Sequence, residues 1–111
     1  MRAMDPSEPP PTEIALARLE KLTLAGASPD RVIQTIGEIV AAWADEPEMH
    51  AETARLRVEQ MWDAVSRNVA DLGEQLNDFE TSDRLAVGAA RRTLAALQAA
   101  EATLALMLER L

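Results

Sequence analysis

Apolar positions along this chain recur at three- and four-residue steps almost from end to end, and that spacing predicts helices throughout. The longest such run is Ala51, Ala54, Val58, Met61, Val65, Val69, Leu72, Leu76 and Phe79. Its steps alternate between three and four, with one extra four-step at Val65. That stutter relaxes a left-handed supercoil locally. A second run, Val87, Ala90, Leu94, Leu97, Glu101, Leu104, Leu108 and Leu111, keeps strict three-four steps, as the seam of a coiled coil does. Between them stands the polar stretch 77–83, with Thr81, Ser82 and Asp83 all able to cap the helix that follows. The pattern predicts two helices of about 30 residues, each about 45 Å long, folded into an antiparallel hairpin over 47–111. Pro47 fits the first turn of the first arm, with Asp45 as its cap.

Upstream the pattern shortens. Ile14, Leu16, Ala17, Leu19, Leu22 and Leu24 make a short apolar helix capped by Thr12 and ended by Gly26. Ser28 then caps a second helix, with Pro29 in its first turn and Asp30 at its positive end. Val32, Ile33, Ile36, Ile39, Val40 and Trp43 form its apolar stripe. Gly37, inside that helix, costs roughly 1 kcal/mol relative to Ala; either close approach of another helix or simple tolerance of the glycine accounts for it. Three segments follow. Residues 1–11 form a proline-rich tail, 12–46 a pair of short helices, and 47–111 the long hairpin. The fold class is all-α: two short N-terminal helices and then a coiled-coil-like hairpin.

Composition narrows this further. The 111 residues are 48% hydrophobic, mostly Ala and Leu, with no Tyr and three aromatic side chains. That mixture argues against a sheet. The chain has no Cys, so disulfides and thiolate metal sites are excluded. No apolar run approaches the ~20 residues that span a bilayer, and no membrane contact is expected. Ten Arg against a single Lys, with abundant Ala, fit a GC-rich bacterial genome. A soluble protein of the bacterial cytoplasm is the expectation.

Net charge is −8. Residues 1–46 hold eight acids and four bases, 47–80 eight and three, and 81–111 three and four. No basic stripe of the kind that binds nucleic acid is present. The acids Asp71, Glu74, Asp78 and Glu80 gather at the hairpin tip, either as a knob for a basic partner or as solubilising charge.

Catalytic chemistry finds no footing. His50 is the single histidine, and Pro47 stands where a Glu-x-x-His diiron pattern would need its Glu. No glycine-rich phosphate loop and no nucleophilic triad occur. No cofactor and no catalytic or metal site is expected. A phosphotransfer role for His50 is the weakest of three functional classes.

The hairpin leaves more apolar surface than one chain hides, so a homo-oligomer is expected. The seam residues for hairpin and oligomer are Val58, Met61, Val65, Val69, Leu72 and Leu76 on the first arm. On the second they are Val87, Leu94, Leu97, Leu104 and Leu108. The segment Leu22–Val32, with Gly26 in its turn, has the spacing of a helix-turn-helix. Its second helix offers Arg31, Gln34 and Thr35 for DNA contact, against the acids Asp30 and Glu38.

Two short helices with that turn, followed by a long hairpin, resemble the compact small terminase subunits of phages and gene transfer agents. The resemblance is architectural and carries no catalytic residue. It implies a ring-forming, non-enzymatic regulator that recruits DNA and stimulates a separate packaging ATPase, the large terminase subunit. The acidic first segment departs from it and implies weak DNA binding or none. The competing class is a coiled-coil interaction protein, whether adaptor, chaperone or phage-encoded inhibitor, with no DNA role.

Overall fold

The turn after the first helix is built from hydrogen bonds the sequence can specify locally. Gly26 has φ +81°, the left-handed conformation that glycine adopts without a Cβ penalty. Around it Gly26 N–H donates to the Thr23 carbonyl and Ala27 N–H to the Leu22 carbonyl, the paired bonds of a Schellman ending. Ser28 follows at once as N-cap, its Oγ accepting from Arg31 N–H at 3.3 Å, with Pro29 at the first helical position. Such a cap is worth about 1 kcal/mol.

The computed structural model describes residues 10–78 and 84–110. Among these residues the chain is all-helical, in the order α1 (Pro11–Leu24), α2 (Pro29–Ala44), α3 (Ala51–Asp78) and α4 (Arg84–Arg110). The body measures 57 × 32 × 21 Å. Helix α4 is central: it packs along α3 and also receives α2, while α1 rests mainly on α3 and α2. Most of the proline-rich tail, the residues Phe79 and Glu80, the expected caps Thr81, Ser82 and Asp83, and Leu111 lie outside the described residues.

Two boundaries differ from expectation. Helix α1 begins two residues early, at Pro11, with Pro10 and not Thr12 at the cap position and no side-chain cap bond. Thr12 is buried inside the first turn rather than capping it. Helix α3 begins at Ala51, not Pro47: Pro47 lies in a turn, and Glu48 takes φ +64°. His50 then stands at the cap, its carbonyl accepting from Ala54 N–H at 3.0 Å. Proline permits a first helical turn but does not require one, and here the left-handed Glu48 turns the chain first.

The core gathers Ala15 and Leu19 of α1, Val32, Ile36, Ile39 and Trp43 of α2, Val58, Met61 and Val65 of α3, and Ala96, Ala100 and Leu104 of α4. In α1 the apolar run is rotated: Ile14 and Leu24 face solvent, while Thr12 and Thr23 are buried. In α2, Ile33 is exposed and Thr35 replaces it in the stripe. The hydroxyls of Thr23, Thr35 and Thr103 donate to carbonyls of their own helices at 2.8–2.9 Å, which lets them sit among apolar neighbours without an unmet donor. Space around Gly37 is open, with nothing within 4 Å of where a Cβ would stand, so no close helix contact explains it.

Ion pairs tie the elements at the surface. Arg18 of α1 meets Glu38 of α2 at 3.1 Å. Arg57 of α3 reaches Glu46 at 2.7 Å and stacks over the Trp43 ring at 5.4 Å. Arg55 pairs with Glu59 and Arg67 with Asp63. Arg67 was equally spaced from Asp71, but the pair forms only on the Asp63 side. Exposed pairs of this kind contribute from nothing to about 1 kcal/mol each.

Candidate functional site

Burial along α3 and α4 is uneven, and the unevenness locates the surface of interest. Val58, Met61 and Val65 are fully buried, but Val69, Leu72 and Leu76 further along α3 are only half-buried. On α4, Leu104 is fully buried, whereas Val87, Leu94, Leu97 and Leu108 are half-buried. The α4 residues that do reach full burial beside Leu104 are Ala96 and Ala100. Small side chains allow the close approach of α3 and α2 to this helix, and the flanking leucines are displaced toward the edges. Glu101, on the predicted seam, is half-buried.

Where the half-buried stretch begins, a groove of about 540 Å³ opens between α1 and α3, with Thr93 and Leu97 of α4 also lining it. Helix α1 contributes Leu16, Leu19 and Leu24; α3 contributes Val65, Asn68, Leu72 and Gln75. The acids Glu13, Glu20 and Asp71 also line it, and no Lys, Arg or His does. The walls follow helical spacing, since residues 64, 68, 72 and 75 share one face of α3 and 13, 16, 20 and 24 one face of α1. The groove therefore joins residues expected to play separate parts: Val65, Leu72 and Leu97 from the seam, and Asp71 from the acidic knob.

The rest of the knob is dispersed. Glu74 is exposed and does not line the groove. Asp78 closes α3 as backbone, but its side chain, like all of Glu80, lies outside the described residues. The candidate DNA set also separates. Arg31 and Gln34 are exposed, but Thr35 is fully buried, its hydroxyl bonded to the Arg31 carbonyl. Thr35 is thus a core residue and not a DNA contact. Glu38, beside them on α2, is held by Arg18.

A second surface was not anticipated. Leu85, Arg92, Ala99 and Leu106 stand seven residues apart on α4, with Ala95 and Ala102 between them. Leu85, Ala95, Ala102 and Leu106 are all exposed, Leu85 at 86%. This outward stripe is apolar except for Arg92. Its heptad spacing is visible in the sequence, but it competes there with the stronger Leu94–Leu108 seam on the same helix. Leu56 and Trp62 of α3 are likewise exposed.

His50 is exposed at the start of α3. Among the described residues no group of three or more His, Cys, Asp or Glu side chains is arranged to hold a metal ion. No described helix is long and apolar enough to cross a membrane. Compared with protein families, with curated proteins and with solved structures, the chain matches none.

Proposed function

We propose that this protein is a non-enzymatic assembly protein, in which α3 and α4 form an antiparallel, coiled-coil-like hairpin that binds copies of itself. The observation that carries the reading is the outward stripe of α4. Leu85, Ala95, Ala102 and Leu106 are exposed at heptad-type spacing, which is the form of a helix seam awaiting a helix. A second copy is its occupant on electrostatic grounds. Segment 81–111, with three acids and four bases, is the only part of the chain that is not strongly acidic. Copies can approach there without the repulsion that a net charge of −8 imposes elsewhere.

A narrower form of the proposal is a packaging regulator of the small-terminase kind, working in the bacterial cytoplasm with a separate large-subunit ATPase. The order of elements supports it: a short helix, the Gly26 turn, a second short helix, then two long ones. In that role direct DNA binding is weak, because Arg31 and Gln34 remain as contacts without Thr35 and beside Asp30 and Glu38. A gel-shift titration at low salt checks this. Binding weaker than micromolar that vanishes near physiological salt is expected, with Arg31→Ala removing what remains. Tight, salt-resistant binding would contradict it. An adaptor, chaperone or inhibitor with no DNA role uses the same stripe, and a complete absence of DNA binding would favour it.

A further inference from the structure

We propose that the groove between α1 and α3 is a docking site for a basic amphipathic helix on a different protein. The inference rests on reading the chain as a protein-binding module, but on a separate surface from the α4 stripe. The floor and walls are apolar, through Leu16, Leu19, Val65, Leu72 and Leu97. A cleft of about 540 Å³ takes the apolar anchors of a short helix laid across it, at positions i, i+3 or i+4, and i+7. Its walls run along residues 13–24 and 64–75, so each is about 16 Å long and matches roughly three helical turns.

Charge selects the occupant. Glu13 and Glu20 stand on one wall and Asp71 on the other, all exposed. None of the three belongs to an ion pair among the described residues. The bases nearby in sequence are committed or lie elsewhere. Arg18 holds Glu38, Arg67 holds Asp63, and Lys21 lines an adjoining hollow with Ile14 and Glu13 instead of the groove itself. A helix whose apolar face enters the groove would set Lys or Arg flanks against these carboxylates. Screening makes each such contact weak, so the charges act on choice of partner and association rate more than on total affinity. A second copy of this chain is a poor occupant, because even its least acidic segment, 81–111, sets four bases against three acids and offers the acidic rim little positive charge.

The test uses the full chain and synthetic peptides of about 16 residues. One is an amphipathic Leu/Lys helix, the second has Glu in place of every Lys, and the third scrambles the first so that no apolar face remains. Fluorescence anisotropy should show the Leu/Lys helix binding at least tenfold more tightly than either control, and less tightly as salt rises. Glu20→Lys with Asp71→Lys, both exposed, should leave the circular dichroism unchanged. That variant should weaken the Leu/Lys peptide at least tenfold and favour the Leu/Glu peptide instead. Equal binding of the scrambled peptide would overturn the proposal as mere charge attraction, and so would failure of the double variant to change the preference. A fall in the solution mass of the double variant would also overturn it, because the groove would then hold a second copy. Absence of any peptide selectivity in the unsubstituted chain, with an assembly mass above that of one chain, would refute the groove and leave the α4 stripe standing.

Discussion

Gly26 and Glu48 hold the same left-handed backbone, at φ +81° and +64°, with opposite consequences for substitution. Nothing lies within 4 Å of a Cβ added at Gly26, so Gly26→Ala meets only the torsional cost of about 1–2 kcal/mol. Glu48→Gly should release strain of the same kind and raise stability by up to about 1 kcal/mol, less the entropy that glycine adds to the unfolded chain. Urea titration of both variants checks the pair; an equal and same-signed effect would contradict the assigned backbone. These residues also show what sequence can convey. The Gly26–Ser28–Pro29 boundary was legible because every partner lies within five residues. Glu48 was not, because a left-handed glutamate has no signature and the neighbouring Pro47 points to a helix start. Thr35 was misread for a related reason. Its hydroxyl is satisfied by Arg31 one turn back, so a residue that looks polar in sequence behaves as apolar in the fold.

At the scale of helices, periodicity told which residues share a face but not which neighbour each face meets. The Leu94–Leu108 spacing predicts a seam, but Leu94, Leu97 and Leu108 are only half-buried. Full burial falls on Ala96, Ala100 and Leu104, on a helix that packs against both α3 and α2. The distinction makes a prediction. Leu104→Asp places a charge at a fully buried site and should cost more than the ~2–5 kcal/mol of a Leu→Ala change, enough to collapse the thermal transition. Leu97→Asp, half-buried beside the groove, should keep its helical circular dichroism and a cooperative melt at a lower midpoint. Equal damage from both would mean that the leucine seam, not the alanine line, is the true interior. The groove between α1 and α3 was legible only in fragments: Val65, Leu72, Leu97 and Asp71 were each singled out, but their convergence depends on where α1 lies, which no local pattern records.

At the scale of the molecule, α1 to α4 bury one core and, among the described residues, present two apolar surfaces of different character. The α4 stripe is small-sided, heptad-spaced and the least acidic part of the chain. The α1–α3 groove is deeper and rimmed by Glu13, Glu20 and Asp71. The first is the proposed seam for a second copy, and the second the proposed cleft for a basic helix of another protein. Self-assembly through α4 is open to light scattering of the full chain at micromolar concentration. A mass that is a multiple of the 12.1 kDa chain is expected, with a return to the single-chain mass in Leu85→Ser with Leu106→Ser while the helical signal is kept. A mass of one chain across the concentration range, or an assembly untouched by that pair of substitutions, would contradict it.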